Sequence, residues 1–346
     1  MPRKKSSCKK VLDFSYAFKS VFSIAGADVK FADLNPYNAQ RVILPLPTNL
    51  KPVSDNRRNY LLLHFIVFVW GWTAILGKLI TLPAVKLVWL RLPIALGGIL
   101  AYLLITKKPL LAAPKNALIY LSTGLIVAVH WICFYGAIKE SNVSVTLACF
   151  STGSLFTAFI EPLFFRRKIR VYELVLGVMV IGALLLIFQV ETHYANGIFL
   201  GLLAAVTSSI FGVLNGYYVK NGHDGSIISL YEMFGGFIGM TFYVLLARPY
   251  AGDLVSMNGS DLFYLLLLGL ACTSLPFLIS LHILKTISPY TVSLTLNLET
   301  VYGIILAYLI FHEDKQLTVY FYIGAAVILS TVFLNTWIKK YVRNTK

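Results

Sequence analysis

Charge is what this chain is shortest of. Only 13% of its 346 residues are charged, while 58% are hydrophobic. A soluble domain carries about 25% charged residues, and no soluble fold of this length could bury so much apolar surface. The composition therefore specifies an integral membrane protein. Cysteine is scarce too. Cys8, Cys133, Cys149 and Cys272 show no C-x-x-C spacing, and three of them lie in hydrophobic runs. That argues against disulfides and metal sites and for small buried hydrophobes. Familiar catalytic and nucleotide motifs are missing. Without a G-x-x-x-x-G-K-[ST] loop, direct ATP drive within this chain is not expected. H-E-x-x-H and G-x-S-x-G are absent, and no serine–histidine arrangement supports an intramembrane protease. No cofactor is expected.

Acidic residues number 15 against 30 basic ones, for a formal net charge of +15. The basic residues gather in the tails and a few loops. That pattern suits a positive-inside topology and anionic lipid headgroups. No basic–aromatic module for nucleic acid is present.

Residues 1–59 stand apart, with Arg3, Lys4, Lys5, Lys9 and Lys10 followed by Pro36, Pro45, Pro47 and Pro52. No run there could span a bilayer, and 11–27 is too interrupted to be a signal-peptide core. The expectation is a mobile cytoplasmic tail, with 11–27 as a candidate interfacial helix. Ten hydrophobic segments follow, at 60–80, 83–105, 116–137, 142–165, 171–189, 195–219, 226–247, 261–284, 288–311 and 317–338. They lack the alternation of barrel strands and read as helices. With both tails inside, the inner loops hold Lys107, Lys108, Lys115, Arg166, Arg167, Lys168, Arg170, Lys220 and Lys285. The outer side holds Lys78, Lys86, Lys139, Arg248 and Lys315. This asymmetry predicts cytoplasmic termini and an even number of helices.

The chain also repeats itself. Lys139 and Lys285 are 285 − 139 = 146 residues apart, and the same shift lays Leu155 on Val301, Phe156 on Tyr302 and Phe165 on Phe311. Arg91 in the second segment aligns with Glu232 in the seventh, and His130 with Pro276. Each half holds five helices, so the second copy must start from the opposite face of the membrane. The predicted fold class is an all-α integral membrane protein: ten transmembrane helices as two inverted five-helix repeats, 60–189 and 195–338, with a basic tail at 339–346. Inverted repeats are a recurring architecture of secondary transporters, whose substrate site lies between the repeats near the midplane.

Several short motifs carry a family likeness. Trp70-Gly71-Trp72-Thr73 opens the first segment, and Leu90-Arg91-Leu92 sits in the second. Phe134-Tyr135-Gly136-Ala137-Ile138-Lys139 and Ser280-Leu281-His282-Ile283-Leu284-Lys285 end the third and eighth. Asn297-Leu298-Glu299 is followed by Phe311-His312-Glu313. In order and spacing these resemble EamA-type proteins of the drug/metabolite transporter superfamily over residues 60–338. The chain departs from that pattern twice. Thr300 replaces the usual proline after Glu299, which implies a weaker kink there. Arg166-Arg167 stands where the first repeat often has Gly-Glu.

Glu299 falls near the middle of the ninth segment, where a carboxyl is costly and is a functional-site candidate by default. It reads either as a protonation or substrate-amine site, or as a brace tying its helix to a neighbour. Arg91 and Glu232 read as opposite poles flanking the substrate path, or as side chains that snorkel to separate interfaces. They are expected to lie too far apart along the membrane normal for an ion pair. His130 could relay protons or simply pack. Trp72 and Tyr135 could line an aromatic wall or anchor at an interface. Glu161 is expected to pair locally with Arg166 and Arg167. Gly97-Gly98, Gly235-Gly236 and Gly239 should let helices approach closely.

The function expected from the architecture and the resemblance is secondary transport. A small polar metabolite or amino-acid-like compound would be exported across the plasma membrane by alternating access, with proton coupling or exchange. The competing reading is a membrane-embedded enzyme acting on a lipid or isoprenoid. It would need clustered catalytic groups, whereas the polar residues here are spread singly over four segments. Expected partners are a small-molecule substrate and membrane lipids, with a homodimer as one admissible assembly.

Overall fold

The structure is a computed structural model and describes residues 54–190, 192–247, 256–313 and 318–344. The tail expected at 1–59 and the interfacial helix expected at 11–27 lie outside these as far as residue 53. Arg248 and Lys315, both placed on the outer side by the charge pattern, also lie outside. Among the described residues the regular structure is helical throughout.

The helices are α1 Ser54–Leu79, α2 Ala84–Ile105, α3 Pro114–Glu140, α4 Val143–Phe150, α5 Gly153–Phe165, α6 Val171–Val190, α7 Ala195–Lys220, α8 Gly225–Ala247, α9 Gly259–Gly269, α10 Leu275–Leu284, α11 Pro289–Phe311 and α12 Val319–Asn344. The first begins inside the stretch expected to be tail. Eight segments are long and apolar enough to cross a membrane: α1 from Arg57, α2, α3, α4 with α5, α7, α8, α9 through α10, and α11. The apolar helices α6 and α12 pack on each other.

Helix starts follow local chemistry. Pro114 and Pro289 occupy the first turns of α3 and α11, where a missing N–H costs nothing. Asn142 caps α4 by accepting from the Val145 N–H at 2.8 Å. Ser288 caps α11 by accepting from the Thr291 N–H at 3.2 Å. The ends of α5 and α11 also correspond. Arg166 and His312, 146 residues apart, both adopt the left-handed conformation, with φ of 49° and 53°. Glycine is the residue that fits this conformation without strain, which gives a physical reason for the glycine usual at the first of these positions.

Two segments are broken, for different reasons. Between α4 and α5 the hydroxyls of Ser151 and Thr152 donate back to the carbonyls of Ala148 and Cys149, each at 2.7 Å. Such back-bonding bends helices. Between α9 and α10, Leu270–Ser274 forms a π-helical turn. Pro276, aligned with His130 of the first repeat, cannot donate its backbone nitrogen to the preceding turn. Thr273 and Ser274 instead donate their hydroxyls five residues back, to Leu268 and Gly269, at 2.6 and 2.9 Å. By contrast α11 runs unbroken through Glu299 and Thr300, in keeping with threonine replacing proline. The Thr300 hydroxyl donates to the Leu147 carbonyl at 3.0 Å and ties α11 to α4.

Packing links the two halves in matched pairs. α1 lies on α11 as α5 lies on α7, and α3 lies on α8 as α2 lies on α9. Helix α8 meets α3 at backbone distance. A Cβ on Gly235 would fall 2.8 Å from the Leu121 carbonyl carbon, and one on Gly124 would fall 2.9 Å from Glu232 Cα. Gly236 and Gly98 are similarly close to neighbours, whereas Gly97 faces open space. The close approach expected of these glycines thus applies to all but Gly97. A main core spans α1–α5 and α7–α11. A smaller one joins Val145, Ala148 and Cys149 to Ala183, Ile198 and three residues of α12. Cys133, Cys149 and Cys272 are buried free thiols; Cys8 lies outside the described residues.

Two carboxylates clamp the broken α4–α5 segment to α11 at its opposite ends. Glu161, near the end of α5, accepts from the Tyr290 N–H in the first turn of α11 at 2.6 Å. Glu313, just beyond α11, accepts from the Val143 and Ser144 N–H groups in the first turn of α4 at 3.1 and 2.9 Å. Each negative charge thus sits at a helix N-terminus, where it is favourable. Arg167 supports Glu161 at 3.3 Å and also pairs with Glu173 at 2.9 Å. Lys78 pairs with Glu313 at 2.7 Å. The ion pair expected around Glu161 therefore runs through Arg167, while Arg166 terminates the helix.

Candidate functional site

A cavity of about 110 Å³ lies among α1, α2, α3, α4, α5, α7, the π turn, α10 and α11. Both halves of the chain contribute to its wall, whereas α6 and α12 supply no lining residue. Trp70, Trp131, Phe134, Phe150, Phe211 and Phe277 give the wall an aromatic share, beside several serines and threonines. Arg91, His130 and Glu299 bring ionisable groups to it, with Tyr135, Thr273 and Asn215 as polar neighbours.

Arg91 sits about 10 Å along α2 from its first residue, at 1.5 Å rise per residue. Its side chain is buried, with Nε donating to Thr273 Oγ1 at 2.7 Å and Nη1 donating to the Tyr135 hydroxyl at 2.5 Å. The guanidinium also lies over the Trp131 ring, 4.1 Å from its centre. The π turn has a direct role here, because it delivers Thr273 to Arg91. Glu299 is ten residues into α11, about 15 Å from its start, and only 4% exposed. Among the described residues it makes no hydrogen bond or ion pair, so no bracing partner holds it.

His130 is held more firmly. Its Nδ1 bonds the Ala204 carbonyl at 2.9 Å, and Phe134, Phe150 and Phe211 surround the ring. One ring nitrogen is therefore committed to packing α3 on α7. Tyr135 lines the cavity and orients Arg91. Glu232 stands outside the cavity wall. It is fully buried and accepts from Asn215 Nδ2 at 3.2 Å, while its Oε1 and Asn215 Oδ1 lack partners. Its link to the cavity runs through Asn215. No ion pair joins Arg91 and Glu232, as their opposite displacement along the helices predicts. Trp72 also lies off the cavity; Trp70, two residues earlier, supplies the aromatic wall from α1.

The structure thus brings together Arg91, His130, Tyr135 and Glu299 and sets Glu232 and Trp72 aside. Sequence reasoning missed Trp70, Trp131, Thr273 and Asn215. Trp131 adjoins His130 and Trp70 opens the Trp-Gly-Trp motif, so both were in view. Thr273 and Asn215 carried no signal, because single polar residues in apolar helices are usually hydrogen-bonded to their own backbone. The described residues hold no group of three His, Cys, Asp or Glu side chains that could bind a metal.

Polar contacts tie helices and loops together at both bundle ends. At the Glu313 end, Asp261 accepts from the Thr81 N–H and hydroxyl at 2.8 and 2.7 Å, and Lys139 donates to the Ile80 carbonyl. At the other end, Lys108 donates to the Ser226 hydroxyl at 3.0 Å, and Tyr120 bonds His223. Burial lowers the His223 pKa below the ordinary imidazole value.

A search of curated proteins finds no match. One solved crystal structure, of a chain described only as a protein, is similar over 83% of this chain and 99% of its own, with a TM-score of 0.63 and 13% identity. At that identity the likeness concerns the fold. The model of the EamA-like transporter family matches twice, over residues 57–189 and 195–337. Its two copies cover most of the chain and coincide with the two halves that enclose the cavity. The chain belongs to the EamA-like transporter family of multi-pass membrane proteins.

Proposed function

We propose that the protein is a secondary transporter that exports a small polar metabolite or amino-acid-like compound across the plasma membrane. The single observation that carries this reading is the cavity itself. It lies between the halves, and its aromatic wall carries Arg91 and Glu299 far from either bundle end. The ten crossings run from a cytoplasmic N-terminus to a cytoplasmic C-terminus, with α6 and α12 as the fifth and tenth. The halves act as inverted repeats that rock about the cavity. The matched clamps at Glu161 and Glu313 support this, since rocking requires contacts at opposite ends that can open in turn. Glu299 is the coupling group. Its carboxyl has no fixed partner, so it is free to exchange a proton or to meet a substrate amine.

The test is a release screen. Proteoliposomes are loaded with a panel of metabolites under a pH gradient, and efflux is measured for the wild type and for Glu299→Gln. The amide is nearly isosteric, so the variant folds. The expected result is wild-type efflux that changes with pH and a flat or absent response in Glu299→Gln. Matching pH profiles in the two proteins would remove Glu299 from the mechanism. Absence of any protein-dependent efflux would remove the transporter reading.

A further inference from the structure

The unusual group in the cavity is Arg91. A guanidinium carries five N–H donors and a fixed positive charge. Its Nε and Nη1 are committed to Thr273 and Tyr135. Both acceptors are neutral hydroxyls, and the Trp131 ring beneath the plane carries no charge either. Among the described residues no carboxylate comes within ion-pair distance of Arg91, and no acceptor reaches Nη2. The residue is only 2% exposed and lines the cavity. A buried charge without a counter-charge is costly, and here the neighbours fix the guanidinium in place without neutralising it. Those two contacts and the ring beneath leave both Nη2 donors and one on Nη1 without an acceptor among the described residues, on a side chain that lines the cavity. The fork suits a planar carboxylate or a phosphate.

We infer that Arg91 is the anion anchor of the transported solute, which carries a carboxylate or phosphate on an apolar or aromatic body. This rests on the reading of the cavity as the transport site. Thr273 and Tyr135 are positioning residues, which aim the fork. Trp70, Phe150, Phe211 and Phe277 receive the body of the solute. Glu299 lines the same cavity without pairing to Arg91, so an oxyanion meets the cation without displacing an internal salt bridge.

The experiment uses the full chain in lipid nanodiscs, with thermal unfolding as the readout. The probes share one ring and differ in head group: benzoate, phenyl phosphate, phenethylamine and benzamide. Benzoate or phenyl phosphate should raise the unfolding temperature, and phenethylamine and benzamide should not. The stronger of the two anions distinguishes a carboxylate head from a phosphate head. Arg91→Gln should abolish the anion effect. Arg91→Lys keeps the charge but loses the fork, and should weaken anion binding by about tenfold or more; it carries the test if the Gln variant does not fold. The inference is overturned if no anion shifts the unfolding temperature, if the amine or amide matches the anions, or if Arg91→Lys binds them as the wild type does. Failure of the transport reading looks different. In that case the anions bind through Arg91 but none crosses the bilayer of a proteoliposome. Conversely, transport whose affinity is unmoved by Arg91→Lys leaves the transporter standing and removes the anchor.

Discussion

Glu313→Ala should be among the most destabilising single changes outside the cavity. The carboxylate is 1% exposed and accepts four hydrogen bonds: the Val143 and Ser144 N–H groups at 3.1 and 2.9 Å, the Ser144 hydroxyl at 2.6 Å and Lys78 Nζ at 2.7 Å. Truncation leaves two N–H groups and a hydroxyl buried at the start of α4. An unsatisfied buried group costs about 1–3 kcal/mol, and loss of a helix cap alone about 1 kcal/mol. The Lys78 side chain is 30% exposed, so it can rehydrate and its share is small. The expected loss is roughly 3–5 kcal/mol, the range found when one member of a buried pair is removed. Glu313→Gln keeps one carbonyl acceptor and should lose about half as much, roughly 1–3 kcal/mol. The assay is reversible unfolding in mixed micelles, with Lys78→Met as the second arm of a double-mutant cycle. Because the helix cap dominates, Lys78→Met alone should cost less than about 1 kcal/mol. A loss below about 1 kcal/mol for Glu313→Ala would refute the claim that this carboxylate holds α4 to α11.

Three further outcomes follow from the same geometry. Gly235→Ala places a methyl group against the Leu121 backbone of α3. It should cost about 1–3 kcal/mol by overpacking, whereas Gly97→Ala, facing open space, should be near neutral; unfolding in micelles compares them. His312→Gly relieves a left-handed residue at φ 53° and should stabilise by about 1 kcal/mol, read in the same assay. Cysteine labelling with an impermeant reagent should place tags at residues 107 and 285 on the face that carries both termini. A terminus on the opposite face would remove the ten-crossing topology.

Much of this architecture was legible because the membrane permits few alternatives. Apolar runs long enough to cross must be helices, and the 146-residue shift exposed the two halves. The glycines of α8 were readable as contact points because only a missing side chain allows backbones so near. The breaks were less legible. Pro276 signalled a distortion, but the π turn depends on hydroxyls reaching five residues back. The gap between α4 and α5 arises at Ser151-Thr152, just before Gly153, a short polar stretch hidden inside an apolar run. The site was half visible. Arg91 and Glu299 stand out because charge in an apolar run is rare. Which aromatic residues face the cavity depends on helix rotation, and that separates Trp70 from Trp72. Glu232 stood out for the same reason as Arg91, yet its partner is Asn215, a contact that only tertiary packing creates.

The central claim is that solute passes through the cavity between the two halves. Gly212 lines that cavity on α7, and a Cβ there meets nothing within 4 Å. Gly212→Phe should therefore fill the space without disturbing the helix packing. The decisive measurement is protein-dependent metabolite efflux from loaded proteoliposomes, for the wild type and for Gly212→Phe reconstituted to equal folded amounts. The account predicts efflux in the wild type and its loss in the plugged variant, at unchanged unfolding temperature. Equal efflux from a folded Gly212→Phe protein would contradict it.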